Sequence, residues 1–542
     1  MAALVLVGSA GLGHAQVRPP DAGLLQQDRT PASEPRRPAE ILRPADGRMQ
    51  PKDGPTGRER AIPISRVVVE GSTLISQEAW DENFSLVGDE PLTLKQMKEV
   101  AAVVQAAVQK AGRPFAVAYL PPQDLSTGEL HVRVVEGRYG SVQAQGALAA
   151  DAAKWMAPLR PGSPIGPELE RQMLLLSEQP GVASAATVSP GANPGDADVT
   201  VEVTPTRGWG GEMRVDNYGN RYAGRTRVVG TVYMDRLLML GDRLSLAAGT
   251  SNEGGGQGSL SYGVPLGARG VRLNLSVGTS EYQLGKEFDI LEASGKVTSL
   301  GATFSIPLQV STRDRSEWQS GIQGQRITNR QGLFETEDRR SNVAWTNSLQ
   351  MSHWFAGGGS LWGRLSAEVG RTRLGDESSQ LIDAYSARTA GTYLLTSFDA
   401  SASRPMGEWA LYGHVSGQLA DRNLDPSKKF VLGGASGVRA WPASEGAGDD
   451  GVLAQVELRR RMGDFQPFVF ADAGHVQFNH KPWAPGFNER TLAGAGIGLR
   501  MSKGPWQLEG TAGWRIGKDS QVADADSSRN PIQFWVSLGY RL

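Results

Sequence analysis

The sequence contains no cysteine, which excludes disulfides, thiolate-bound zinc and cysteine nucleophiles together. It has almost no net charge, with 56 lysines and arginines against 57 aspartates and glutamates, so no global field recruits nucleic acid. Beyond the first residues it lacks any apolar run of about 18 residues, the length a membrane-spanning helix needs. Its mean hydropathy is −0.32. A transmembrane helix is thereby excluded, but a transmembrane barrel is not, because its strands alternate apolar with polar residues and never form a long apolar run. The six histidines, His14, His131, His353, His414, His475 and His480, show neither an HExxH pattern nor any other paired spacing, so no metal is expected. A Gly-x-Ser-x-Gly elbow, a Walker loop and an EF-hand pattern are all missing, so neither an enzymatic site nor a cofactor is expected. Glycine is abundant, with 68 in 542 residues, and follows no G-X-Y period. It must serve turns, bulges and close backbone approach.

Residues 1–15 are short, small and apolar and close on Gly13-His14-Ala15. They are similar to the hydrophobic region and cleavage site of a secretory signal, without its basic start, and export is expected. Residues 16–61 are rich in proline and charge and read as a linker that buries too little to fold alone. Within them 21–28 is compatible with a helix, with Asp21 as cap and Pro31 as stop. Leu24 and Leu25 are its apolar residues.

A strand around Ile64, Val67 and Val69 is followed by Leu94, Met97, Ala101, Val104 and Val108 at helical spacing, then by β-rich runs at 115–120 and 130–136. The order is β-α-α-β-β over 62–138. It recurs over 139–207, with helices near 149–156 and 167–177 and strands near 183–188 and 197–204. The wording Leu120-Pro121-Pro122-Gln123, Gly128-Glu129-Leu130-His131-Val132 and Val134-Val135-Glu136-Gly137-Arg138 resembles the end of the first POTRA domain, a periplasmic module, of two-partner secretion transporters.

From Trp209 helical periodicity gives way to segments of about ten residues that alternate apolar with polar, as in Arg272-Leu273-Asn274-Leu275-Ser276-Val277. Sixteen such segments are found between 209–218 and 532–542. Even-numbered segments are followed by short connections such as 265–269, 404–407 and 502–504. Odd-numbered segments from the fifth onward are followed by about fourteen to twenty-nine residues, including fourteen between 316–326 and 341–353. Short turns on one side and long loops on the other are the asymmetry of an outer-membrane barrel. Residues 208–542 are therefore expected to form a 16-stranded antiparallel transmembrane β-barrel. Its last strand presents Phe534, Val536, Leu538, Tyr540 and Leu542 on one apolar face. That face resembles the C-terminal assembly signal of outer-membrane proteins, with Leu542 in place of the usual aromatic.

The longest loop, 421–449, contains Leu432-Gly433-Gly434-Ala435-Ser436-Gly437-Val438-Arg439-Ala440-Trp441. It resembles the sixth loop of the POTRA-barrel superfamily, whose Val-Arg-Gly-aromatic tip folds back into the barrel; here Ala440 replaces the glycine and Trp441 the Phe or Tyr. Phe470-Ala471-Asp472 is similar to the family's Phe-x-Asp motif, and Glu457-Leu458-Arg459 to a neighbouring Glu-Leu-Arg. Period-two parity that turns Val452, Ala454, Val456 and Leu458 to lipid turns Gln455, Glu457 and Arg459 to the lumen. Asp472 belongs inside because a carboxylate facing lipid is expensive. The resemblance implies that Arg439 locks the loop to Asp472, with Val438, Trp441, Glu457, Arg459 and Phe470 in support and Glu457 as rival acceptor. It also implies that helix 21–28 plugs the lumen.

The fold implied is two βααββ POTRA modules followed by the barrel, in the outer membrane of a Gram-negative bacterium with the POTRA modules in the periplasm. The function implied is secretion of a large unfolded exoprotein, an adhesin, haemolysin or contact-dependent toxin, recognised by the POTRA modules. Outer-membrane lipid is the other partner and nucleic acid is not one. An insertase that assembles other barrels is the alternative, against which a pair of POTRA modules argues, since insertases carry longer arrays. A passive porin is the third reading, and it has no need of such modules.

Overall fold

The computed structural model describes residues 21–25, 42–44, 61–84, 91–517 and 530–542. The expected signal segment, 1–15, lies outside the described residues, as does most of 16–61. Helix α1 (Ala22–Leu25) and strand β1 (Leu42–Pro44) precede a first α/β module. That module consists of β2 (Arg66–Glu70), α2 (Gln77–Phe84), α3 (Leu94–Lys110), β3 (Val117–Tyr119) and β4 (Glu129–Val135). Its sheet runs β2-β4-β3, with β2 parallel and β3 antiparallel to β4. Helix α3 starts where Thr93 and Gln96 satisfy each other's backbone N–H groups, a capping box. Met97, Ala101, Val104 and Val108 then pack on Ile64, Val67, Leu130 and Val132. Leu94, at the first helical position, stays exposed rather than joining that stripe.

The second module comprises β5 (Arg138–Gln145), α4 (Ala149–Met156), α5 (Pro167–Ser177), β6 (Val182–Pro190) and β7 (Asp196–Pro205). Its sheet order is β1-β6-β7-β5, so part of the expected free linker is a strand. Leu42, Arg43 and Pro44 pair in parallel with Ala186, Thr187 and Val188. An open edge is a template for any extended segment, and an edge strand tolerates proline.

The barrel strands are β8 (Trp209–Asp216), β9 (Arg227–Asp235), β10 (Arg243–Ser251), β11 (Gly256–Pro265), β12 (Arg272–Gln283), β13 (Ala293–Val310), β14 (Asp314–Gln331) and β15 (Thr336–Trp354). They continue with β16 (Ser360–Leu374), β17 (Gly391–Met406), β18 (Trp409–Ala420), β21 (Asp450–Arg460), β22 (Phe465–Gln477), β23 (Glu489–Lys503), β24 (Trp506–Ile516) and β25 (Ile532–Arg541). Two short strands, β19 (Phe430–Val431) and β20 (Ala447–Gly448), pair within the longest loop. The sixteen strands close into one antiparallel barrel, β25 pairing with β8 from Ser537↔Asp216 to Arg541↔Glu212. Phe534, Val536, Leu538, Tyr540 and Leu542 are exposed on the outside, while Trp535 between them is buried in the lumen.

One loop expectation fails. The fourteen residues expected between the seventh and eighth barrel strands are mostly strand, joined through a single 3-10 turn at Gly332–Phe334. Above the membrane both faces are polar, so apolar alternation ends. Backbone pairing continues, supported by cross-strand neighbours of opposite charge such as Arg330↔Glu337.

The second module sits on the short-turn end of the barrel. Arg171 donates to the carbonyls of Pro307 and Leu308, Gln172 donates to Ala268, Glu170 accepts from the Thr312 N–H, and Glu178 pairs with Arg315. The short turns are therefore periplasmic and the longest loop starts from the opposite rim.

Candidate functional site

The longest loop turns back into the barrel and reverses direction at Gly437. A Cβ added there would lie 1.8 Å from the Leu432 carbonyl oxygen, so only glycine fits. Beside it Val438 donates its N–H to that same carbonyl. Val438, Ala440 and Trp441 pack with Leu432, Phe430, Leu453, Val476 and Leu492 in an apolar cluster inside the lumen. The tip lies on a wall of small residues. Added Cβ atoms at Gly494 and Gly513 would lie 2.3 and 3.0 Å from Ala440 atoms, so the alanine fits because the wall opposite it is glycine. Among the described residues with positive φ, Ala440 does not appear, and the position imposes no backbone that alanine resists.

This seating delivers Arg439 to two carboxylates. Its backbone N–H and Nε donate to Asp472 Oδ2 at 3.0 and 2.8 Å, and Nη2 donates to Oδ1 at 2.7 Å. Nη1 donates to Glu457. Glu457 is a joint acceptor rather than a rival one, because the planar guanidinium has enough donors to serve both. The arginine, Asp472 and Glu457 are all buried. Glu457 also accepts from Arg459 at 2.7 Å and from Arg500 at 2.9 Å, and Arg500 reaches Glu509 at 3.2 Å. Three arginines thus face three carboxylates, which keeps the dehydrated cluster neutral.

Phe470 lies two residues before Asp472 on the same face of β22, and its ring centroid is 3.8 Å from the Arg439 guanidinium carbon, a cation–π contact. The Phe-x-Asp pattern is therefore a stacking surface and an anion on one lumenal face, with Ala471 turned out between them. Arg459 stacks on Tyr412 at 3.8 Å and Arg500 on Phe468 at 4.1 Å. Trp441 donates its indole N–H to the Ala493 carbonyl at 3.0 Å. Trp535 donates to the Arg439 carbonyl at 2.8 Å, and Gln455 donates to the Gly437 carbonyl at 2.7 Å.

Sequence reasoning missed Arg500, Glu509 and Trp535. Lumenal parity on β23, β24 and β25 was the available signal.

Helix α1 occupies the same lumen. Asp21 caps it by accepting the Gly23 N–H at 2.8 Å, and the carboxylate also accepts from Asn329 at 2.8 Å and from Arg340. Arg340 holds Asp425, at the root of the inward loop, at 2.9 Å, so one wall cation is shared by α1 and the loop. Ala22 is buried with Val297 and Ile327, and Leu25 packs beside Tyr222 and Phe288. Leu24 and Leu25 line a lumenal cavity of about 660 Å³. An added Cβ on Gly23 would meet Ser427 Cβ at 2.5 Å, so this glycine allows the helix to touch the loop root. The part of the expected helix beyond Leu25 lies outside the described residues. Among the described residues, none of the groupings of histidine, aspartate and glutamate is suited to hold a metal ion.

A closed barrel with paired periplasmic βααββ modules and an inward charged loop defines an outer-membrane protein transporter. A sequence profile described as haemolysin secretion/activation protein ShlB/FhaC/HecB matches residues 195–501, and a profile of the ShlB-type POTRA domain matches residues 62–137. The chain belongs to that secretion/activation family. Its relatives include the heme/hemopexin transporter protein HuxB of Haemophilus influenzae, 24% identical over 470 residues, covering 83% of this chain and 82% of the relative. The outer membrane transporter CdiB of Escherichia coli O6:K15:H31 is 24% identical over 500 residues, covering 83% and 78%. Among solved structures, CdiB from Escherichia coli superposes with a TM-score of 0.72 at 20% identity over 91% of this chain and 93% of that one. CdiB from Acinetobacter baumannii gives 0.65 at 16% identity over 92% and 94%. This chain is an outer-membrane transporter that moves a partner exoprotein from the periplasm through its barrel.

Proposed function

We propose that the client is a large exoprotein of the adhesin, haemolysin or contact-dependent toxin kind, captured as an extended chain at a sheet edge of the POTRA pair. Arg439 with Asp472 locks the inward loop to the wall, and α1, through Leu24 and Leu25, plugs the lumen at rest. Helix α1 and the inward loop both occupy the lumen, α1 touching the loop root where an added Cβ on Gly23 would meet Ser427. Transport on this reading requires the plug to leave.

The observation that carries the reading is the pairing of Leu42–Pro44 with the edge of β6. This edge accepts an extended segment through main-chain hydrogen bonds, the mode that tolerates varied sequence. The edges of the first module are partly taken by side chains: Gln77 bonds the Val69 N–H and the Val67 carbonyl, and Gln105 bonds the Ala118 N–H. The occupant of the β6 edge is tethered to the plug, so a client that displaces it also frees the segment that leads to α1.

The chain's lack of cysteine makes the test clean. Arg43→Cys with Thr187→Cys, at paired positions, gives a disulfide of ordinary reach across adjacent strands. Secretion should stop on oxidation and return on reduction. Undiminished secretion by the oxidised protein would reject the β6 edge as the client's site.

A further inference from the structure

Seven periplasmic turns join the barrel strands, and six of them show at most one exposed large apolar side chain each: Leu266, Phe355 and Met462 in three, none in the others. The turn between β9 and β10 shows three in succession, Leu237, Leu238 and Met239, exposed by 47%, 76% and 46%. We propose that this turn is a wedge inserted among the acyl chains of the periplasmic leaflet, pinning the second POTRA module to the membrane beside the pore entrance.

The direction of the turn follows from register. Leu246 and Leu260 are paired and exposed on the lipid face, so Leu244, Tyr262 and Asp242 share that outward parity. Asp242 is nevertheless fully buried. Its carboxylate accepts the backbone N–H groups of Leu237, Leu238 and Met239 at 2.7, 2.8 and 3.1 Å and the Tyr262 hydroxyl at 2.7 Å. An outward-facing carboxylate so covered means that the turn folds over the outer surface of the barrel, not beneath its lumen. Residue 236 donates its N–H to the Asp242 carbonyl. Four consecutive backbone N–H groups are therefore satisfied within the turn, which lowers the cost of seating it at the membrane interface.

Depth follows from the neighbour on β8. Trp209 pairs with Met234 and is exposed under the Arg207 guanidinium, 3.6 Å from its ring centroid. That is the arrangement of an interfacial aromatic beneath the headgroups. The turn starts two residues beyond Met234, continuous with the lipid-facing Val232 and Met234.

The same turn is fastened to the second module. Leu240 is buried in that module's core. An added Cβ on Gly241, whose φ is +89°, would lie 2.5 Å from Gln179, and Arg272 bonds both Gln179 and the Gly241 carbonyl. Three side chains point to lipid and the fourth into the POTRA module, so a movement of that module relative to the leaflet has to move the wedge.

The test uses the full chain in phospholipid nanodiscs, with single Leu237→Cys, Leu238→Cys and Met239→Cys variants carrying an environment-sensitive fluorophore. Leu246→Cys serves as the lipid reference and Arg313→Cys, in another periplasmic turn, as the aqueous one. Barrel folding is checked by heat-modifiable mobility. Labels at 237–239 should emit to the blue like the 246 label, be quenched by doxyl-bearing phospholipid and resist aqueous iodide. Emission and iodide quenching that follow the 313 label overturn the proposal. Shielding from both quenchers, which would mean cover by protein, overturns it as well.

Discussion

Two segments enter the barrel lumen, and they are held by opposite chemistry. The inward loop brings a cation, Arg439, to carboxylates fixed on the wall, whereas helix α1 brings a carboxylate, Asp21, to a cation fixed on the wall, Arg340. The loop tip is sealed: the Arg439 and Asp472 side chains are 6% and 0% exposed, and an apolar cluster with Trp441 closes over them. The α1 contact is less sealed, with Arg340 and Asp21 at 9% and 20% exposure, and α1 buries only Ala22 and Gly23. A multiply bonded cluster with Arg439 and Asp472 sealed at its centre is costly to open, while a single-turn helix held mainly by one carboxylate is less so. The difference suits the proposed roles, a loop that keeps its place through much of the cycle and a plug that leaves early.

The largest way to disturb this contrast is at Glu457. Glu457→Ala leaves Arg439, Arg459 and Arg500 sharing fewer anions, and a buried charge left without its partner costs about 3–5 kcal/mol. Protease access to the 421–449 loop in intact cells should rise strongly. An unchanged cleavage pattern would show that Asp472 suffices alone.

A charged cluster outside the lumen is held by neutral and charged donors together. In the first POTRA module burial pushes the Glu136 carboxyl up, but hydrogen bonds from the Thr73 N–H and hydroxyl and from Arg113 outweigh it and hold the group below its ordinary value. A lowered folded-state pKa contributes stability above the unfolded value, near pH 4.5, and that stability is lost as pH falls through the folded value. Glu136→Gln should therefore destabilise this module by about 1.5–3 kcal/mol at neutral pH, and the penalty should shrink on acidification below about pH 4. Hydrogen exchange around Thr73 in the full-length protein reads it, and a penalty constant with pH would contradict the assignment.

The smallest energetic change is expected at the plug. Arg340 keeps Asp338 and Asp425 as partners, so Asp21→Asn should cost only about 1 kcal/mol, yet single-channel conductance in planar bilayers should show more frequent opening. Gly23→Val, whose added carbon would meet Ser427, should open the channel further. Conductance identical to the parent in both variants would remove α1 as the resting plug.

Much of the fold was legible because period-two alternation is imposed by lipid on one side of every strand. Val452, Val456 and Phe534 declare the outside, and Glu457, Asp472 and Trp535 follow as the inside. Alternation reports facing but not partners. Arg500 meets Glu457, and Glu509 meets Arg500, through the register of β21 to β24, which no single strand encodes. Where lipid no longer imposes a pattern, as above the membrane in the β14–β15 hairpin, strand residues carry the composition of a loop. The pairing of Leu42–Pro44 was illegible for a related reason: main-chain bonding to an open edge leaves little trace in side-chain composition.

On the proposed function the loop acts through direct coupling of Arg439 to Asp472, and a double-mutant cycle on secretion reads that coupling. Exoprotein released to the medium is measured for Arg439→Ala, Asp472→Ala and the double variant, with surface level of the barrel matched in each. Each single variant should lose most secretion, and the double should lose little more than either, because each removes the same contact. Near-normal secretion in both single variants, or losses that add fully in the double, would contradict the account.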